Sequence, residues 1–438
     1  MKKNRMTRWF IGLALLCVPL LFDSCGSDDP APEVSSDVEY FGTTSPGDVW
    51  LVLFNNQRST FVATWDAGTK ANTSDDVIFS GPFAKINRGF IELTITATSR
   101  AVPGIATNGS YKIYAQEIPG KSLIMLPDAP AAINGAPRFG LVTMNARSTR
   151  VGTNGIHTFN YIRTAFPFQG YNHVDKDGCW GSFKWNINEA AGTVSLSEVP
   201  FSRTLTCVQN KINSSFGCIF QPDNTVPANV TLGTVGPLGD FTQTANVGGD
   251  PGKKFTGQFN IAEGLFIMDQ GDGQGGAFMA LQDASVTLSD FNLANFNQGG
   301  LSGELAGFGT FLGARDGSGG FTLSNQAYAV YNDPRLPNDF LSFHAYRGSI
   351  GSNEVESNIT WAVKFEKVEN GMLFGYLYQV TDNTTNPVTL AQQTYPIAAI
   401  GYKKGNRKML VMVTGIKPDP TNSPNLADQW VFTLINRP

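Results

Sequence analysis

Charge, histidine and helical periodicity are what this chain has little of. Only 16% of its 438 residues are Asp, Glu, Lys or Arg, against the usual quarter or so. The net charge is −4, and an acidic surface gives no footing for nucleic acid, whose binding rests on phosphate neutralisation by Lys and Arg. There are 3 His, namely His157, His173 and His344, and none sits in an HExxH arrangement. A GxSxG elbow, a Walker loop and a dinucleotide fingerprint after a strand are all missing, so no common catalytic motif is present. Nothing calls for a cofactor. Beyond the first 25 residues no segment carries the 3.6-residue period of an amphipathic helix, nor a second apolar run long enough to span a bilayer.

What is present begins at the N-terminus. Lys2, Lys3, Arg5 and Arg8 precede an apolar run from Trp9 to Phe22, the layout of a secretory signal. Then come Leu21-Phe-Asp-Ser-Cys25 and a polar, Pro-containing stretch from Gly26 to Pro32. The join resembles the lipobox of bacterial lipoproteins, with a small residue just before the cysteine; Phe22 and Asp23 depart from that pattern. The resemblance covers only the first 25 residues. It implies cleavage before Cys25, acyl chains on Cys25, and a lipid-anchored protein of the bacterial cell envelope, expected at the outer membrane. Removal of residues 1–24, four bases against one acid, takes the charge from −4 to −7. Residues 25–37 are then the acylated cysteine and its tether.

The remainder reads as strand after strand. Gly (47) and aromatics (11%) run high. Phe90–Thr96 alternates apolar and polar residues, and Tyr111–Gln116, Lys254–Asn260 and Trp361–Lys367 behave alike. Turn pairs such as Pro119-Gly120, Asp177-Gly178, Asp316-Gly317, Asn370-Gly371 and Gly405-Asn406 separate them. The expected class is all-β, antiparallel.

Landmarks recur. Trp180-Gly-Ser-Phe183 with Gly192, and Phe308-Gly-Thr-Phe311 with Gly320, stand 128 residues apart. Leu123-Ile-Met125, Phe266-Ile-Met268 and Leu410-Val-Met412 are spaced by 143 and 144, and a further strand follows each. Three β units are therefore expected at 38–150, 151–284 and 285–438, each the size of a small barrel or sandwich. The alternative is a single large β-propeller.

Candidate sites are few. Cys179, Cys207 and Cys218 remain after Cys17 leaves with the signal and Cys25 is acylated. Export permits disulfides, and three cysteines allow at most one bridge: Cys207 with Cys218 flanks a polar decapeptide able to close a hairpin, and a bridge involving Cys179 is the alternative. Asp269 and Asp272, in a Gly-rich segment, are candidate calcium ligands, because that ion needs oxygen donors on a sharply turning chain; a solvated turn is the plainer account. His173 with Asp175 and Asp177 fails the EF-hand register. Trp50, Trp65, Trp180, Trp185, Tyr111 and Tyr114 are candidate sugar-stacking aromatics, though core packing is the commoner use of such residues. Trp180 and Trp185, five apart, face opposite sides of a strand. Glu92 and Asp316 have no spacing that marks a glycosidase pair. Lys403–Lys408 reads as a solvated basic hairpin tip. The expected function is non-catalytic binding or structural support, with a glycan, a small ligand or an envelope component bound by inter-strand loops. A polysaccharide hydrolase and a purely structural envelope component are the alternatives.

Overall fold

The structure is a computed structural model. It describes residues 37–436 apart from 45–48, 67–75, 87–88, 128–139, 148–154, 165–177, 189–192, 210–215, 223–229, 235–237, 248–249, 261, 270–276, 292–303, 316–320, 347–349, 351–354, 392–394, 406 and 415–428. Ser36–Pro438 forms one compact unit built from three antiparallel sheets.

The first sheet comprises β1 (Val38–Thr44), β2 (Val49–Asn55), β3 (Thr60–Asp66), β4 (Val77–Lys85), β5 (Phe90–Thr94), β6 (Ala97–Thr98), β7 (Lys112–Ile118), β8 (Ser122–Pro127) and β9 (Val142–Ala146). Its order is β3-β2-β1-β9-β8-β7-β5-β4-β6, and a further β3–β4 pairing closes eight of the strands into a barrel. The second sheet comprises β10 (Gly155–Thr164), β11 (Gly178–Asn188), β12 (Thr193–Gln209), β13 (Phe216–Pro222), β14 (Val230–Thr234), β15 (Asp240–Val247), β16 (Asp250–Asn260), β17 (Leu265–Asp269) and β18 (Ala277–Gln282). It runs β13-β12-β11-β10-β18-β17-β16-β15 with β14 on β12, and among the described residues no ladder closes it. A 3-10 turn, Leu288–Phe291, leads to the third sheet. There β19 (Leu305–Arg315), β20 (Phe321–Tyr331), β21 (Phe340–Ala345), β22 (Trp361–Glu369), β23 (Met372–Asp382), β24 (Thr389–Leu390), β25 (Tyr395–Lys404), β26 (Arg407–Thr414) and β27 (Gln429–Asn436) form a second eight-stranded barrel, closed by β22–β23.

The chain is thus all-β, with two closed antiparallel barrels and, between them in sequence, a third antiparallel sheet that no ladder among the described residues closes. That connectivity excludes the propeller. Closure removes the unpaired strand edges that an open sheet exposes.

One wiring rule runs through all three sheets. The first strand pairs with the last, as β1–β9, β10–β18 and β19–β27. The three methionine landmarks fall on β8, β17 and β26, each the next-to-last strand and each paired with the last. The 128-residue landmarks do not share this equivalence. Trp180-Gly-Ser-Phe183 lies on β11, a second strand, whereas Phe308-Gly-Thr-Phe311 lies on β19, a first strand. That offset is a coincidence of a chain rich in Phe, Gly and Thr. Gly309 still marks a close approach: a Cβ there would meet the Phe432 ring at 2.6 Å, because in-strand glycine makes room for a crossing side chain.

The barrels are filled. In the first, Trp50 stacks on Trp65 (6.3 Å between ring centres) and on Phe79 (5.7 Å), with Tyr40, Val52, Ile113 and Met144 in the same buried cluster. In the second, Tyr328, Phe343 and Phe432 pack at 5.2–5.8 Å, and Trp430 stacks on Phe432. A third cluster, containing Phe90, Ile162 and Phe308, joins residues of all three sheets. The turn Asn370-Gly371, with φ of 51° and 77°, is the primed geometry that right-twisted hairpins prefer. Its Gly371 carbonyl accepts a hydrogen bond from Asn160 Nδ2 on β10 (3.2 Å).

Candidate functional site

Two of the candidate aromatics go to the core. Trp50 and Trp65 are fully buried inside the first barrel. Tyr111 and Tyr114 are partly buried against the cores beneath them. Trp50 and Trp65, with no exposed surface, do not form a sugar platform. The side chains of Trp180 and Trp185 lie outside the described residues, as do His173, Asp175, Asp177, Asp272 and Asp316. Asp269 ends β17. Among the described residues no group of three or more His, Cys, Asp or Glu is placed to hold a metal. Glu92 pairs with Lys112 at 2.6 Å. Cys207 and Cys218 are direct partners in the β12–β13 ladder.

Among the described residues, His344 on β21 is a histidine with a well-defined polar setting. Its ring is fully buried and stacks on Tyr331 at 4.4 Å with a 7° tilt. Nδ1 donates to the Glu356 carbonyl (2.9 Å), and Nε2 stands 3.5 Å from Asp333 Oδ2. Asp333 in turn accepts both Nε and Nη2 of Arg335, at 3.0 and 2.8 Å, and Arg335 Nη2 donates to the Ser357 carbonyl at 2.5 Å. Burial pushes His344 down to about 4, against the raising influence of the Glu356 carbonyl and Asp333. For Asp333 burial works upward, yet the Arg335 hydrogen bonds hold its carboxyl below the usual range. A His, an Asp and an Arg together suggest acid–base chemistry, but a general base needs hydrogen-bond reach of a substrate proton, and His344 has no exposed surface. The cluster instead fastens the β20–β21 loop to the barrel wall.

Sequence reasoning also missed a polar junction between the sheets. Glu263, in the β16–β17 turn, accepts from Tyr402 Oη (2.9 Å) and Lys404 Nζ (3.1 Å), both on β25, and pairs with Lys121 of the β7–β8 turn (2.9 Å). Lys403 and Lys408 bind Asp290 of the 3-10 turn through its carboxylate and carbonyl respectively. The Lys403–Lys408 tip is therefore a hairpin, as expected, but not simply a solvated one. Burial by itself would raise the Glu263 pKa; the Lys121, Tyr402 and Lys404 hydrogen bonds outweigh it and hold the carboxyl below its ordinary range. A second junction is Arg147, whose guanidinium binds Glu39 of β1 and Asp240 of β15. Clusters of opposite charge far apart in sequence leave no local signal that could have found them.

Inside the first barrel, Tyr40 donates to Glu117, and the Gly120 N–H donates to Tyr40 Oη (3.1 Å). Burial first, and the Glu117 charge second, push the Tyr40 hydroxyl well above its usual range. This pair holds β1 to the β7–β8 turn, with the tyrosine in the role of donor.

Comparison with known proteins finds no matching family model and no matching curated protein. Among solved structures, a double mutant of the vaccine antigen Transferrin Binding Protein B from Haemophilus parasuis Hp5 is similar over 93% of this chain and 76% of its own, at 7% identity and a TM-score of 0.28. A single mutant of the same antigen matches over 93% and 77%, at 6% identity and a TM-score of 0.23. At that identity and overlap the likeness assigns this chain neither ligand nor partner.

Proposed function

We propose that the chain is an outer-membrane lipoprotein, acylated on Cys25, with a non-catalytic binding role carried by the outer faces and inter-strand loops of its sheets. The observation that supports the placing of binding on the outside is the filling of both closed barrels by packed aromatics. A barrel packed with side chains has no room for a ligand, unlike wider barrels that enclose one. Binding then falls to the outside, where loops freed from core packing carry contacts. A glycan or an envelope protein is the expected partner class.

Presentation of the purified acylated protein to envelope proteins and to polysaccharides tests the proposal. Saturable binding with every polysaccharide left intact is the expected result. Release of new reducing ends that scales with protein concentration would overturn it.

A further inference from the structure

The outer face of the first barrel carries an apolar patch that its interior does not need. Along β2, β3 and β4 the buried residues Trp50, Val52, Phe61, Ala63, Val77 and Phe79 alternate with outward ones. At the middle of this face the outward residues are Leu51, Leu53, Val62, Thr64, Ile78 and Ser80, none of them charged; Asn55, Thr60 and Asp66 lie towards the strand ends, and Glu39 of β1 stands opposite Leu53. Leu53, Val62 and Ile78 are 40%, 43% and 43% exposed. Leu53 stands directly opposite Val62, Val62 opposite Ser80, and Thr64 opposite Ile78. Opposite and diagonal neighbours on one face lie within about 4.5–8 Å, so the three exposed aliphatics form one continuous patch. Scattered exposed apolar residues need no explanation, but a contiguous group marks a contact surface.

The route of the chain indicates what covers it. Val38, at the start of β1, pairs with Phe54 at the end of β2. Asp37 Oδ1 accepts the Asn56 N–H at 3.2 Å and its Oδ2 accepts Asn55 Nδ2 at 3.5 Å, so the incoming chain meets the β2–β3 hairpin beside Leu53. Only residues 26–37 separate Cys25 from Val38, and fully extended they reach at most about 45 Å. A lipid on Cys25 would therefore keep this hairpin, and the patch next to it, within about 45 Å of the bilayer.

We propose that this face rests on the bilayer that holds Cys25, with Leu53, Val62 and Ile78 against its interfacial region. The inference rests on the lipid-anchor reading above. No Lys or Arg stands among the six outward residues, so the contact is apolar and does not need anionic headgroups. An anchored chain presents the patch at high effective concentration, and a small patch then suffices.

The test uses the acylated full-length protein in phosphatidylcholine vesicles whose acyl chains carry a nitroxide quencher. A fluorescent amino acid replaces Val62 or, as a control on the second barrel, Lys367, whose side chain is 63% exposed. If the Val62 substitution unfolds the protein, Ile78 takes its place. Quenching at position 62 at least about twofold stronger than at 367, and unchanged in high salt, is the expected result for apolar contact. Protein that stays on the vesicles with equal quenching at both positions overturns the docking alone. Protein that does not stay on the vesicles overturns the anchor reading and the docking with it. A label at 62 shielded only after another protein is added marks a protein-binding face, which also overturns the proposal.

Discussion

The carboxylate of Glu263 accepts the hydroxyl of Tyr402 at 2.9 Å, across 139 residues of sequence. With Lys121 and Lys404 on the same carboxylate, one side chain of the middle sheet ties together both barrels. Replacement Glu263→Ala strands a buried phenol and two ammonium groups. A loss of about 2 kcal/mol is expected, from the usual cost of removing one partner of a partly buried charged network. Denaturant unfolding of the wild type and of Glu263→Ala, Tyr402→Phe and the double variant measures it. Purely additive losses would show that the two groups do not interact.

The pH dependence of Glu263 has a definite sign. Its folded pKa lies below the ordinary 4.5, so its contribution is present above the unfolded pKa and is lost as pH falls through the folded value. Glu263→Gln should flatten the stability profile in that acid range only.

His344 works in the other direction of charge. Its pKa falls from 6.5 to about 4 on folding, so between those values the unfolded chain binds more protons than the folded one. Stability is complete above pH 6.5 and declines as the solution is acidified towards 4, by about 3 kcal/mol for this one group. Thermal melts of wild type and His344→Asn from pH 4 to 7 test this. An unchanged slope in the variant would mean that the acid sensitivity arises elsewhere.

Many strands were legible because they bury one face, which stamps a two-residue period on the sequence; Phe90–Thr94 and Trp361–Glu369 begin where that period does. Closure was not legible. It depends on β1 finding β9 and β19 finding β27, and pairings so far apart leave no local mark. The methionine strands betrayed the common wiring because next-to-last strands are buried on both faces, as β8 is throughout its length, and carry short apolar runs. Lys403–Lys408 misled because a basic turn looks the same in sequence whether water or Glu263 and Asp290 receives its charge.

Trp50 separates the binding and packing accounts of the aromatics. Stacked between Trp65 and Phe79 with no exposed surface, it leaves a large cavity when truncated. Trp50→Ala should cost about 3–5 kcal/mol and leave any glycan or protein affinity of the folded molecule unchanged. A lost affinity with unaltered stability would restore Trp50 as a binding residue.

The anchor is tested at Cys25. Acyl chains are the proposed attachment, and more than one chain is needed for durable anchoring. Cys25→Ala should leave the chain soluble or uncleaved on fractionation. A cleaved variant that remains with the membrane would defeat the lipoprotein reading.

The last prediction concerns the β12–β13 ladder. Cys207 and Cys218 are direct partners there, and directly opposite positions of an antiparallel pair bring Cα atoms to about 4.5–5.5 Å, within the range a disulfide spans. Cys179 on β11 is the partner of Thr204, three positions before Cys207. An odd step along a strand changes face, so the register sets Cys179 on the face opposite to the other two. The proposed export would supply the oxidising setting. One bridge, Cys207 to Cys218, with Cys179 left as a thiol, is therefore the expected product, and it pins the register of β13 at the end of the second sheet. The loop it closes is short, so its stabilisation is about 2–3 kcal/mol. Non-reducing peptide mapping decides the pairing, and melts with and without reductant give the magnitude. A bridge to Cys179 would contradict the ladder register, and three free thiols would remove the bridge altogether.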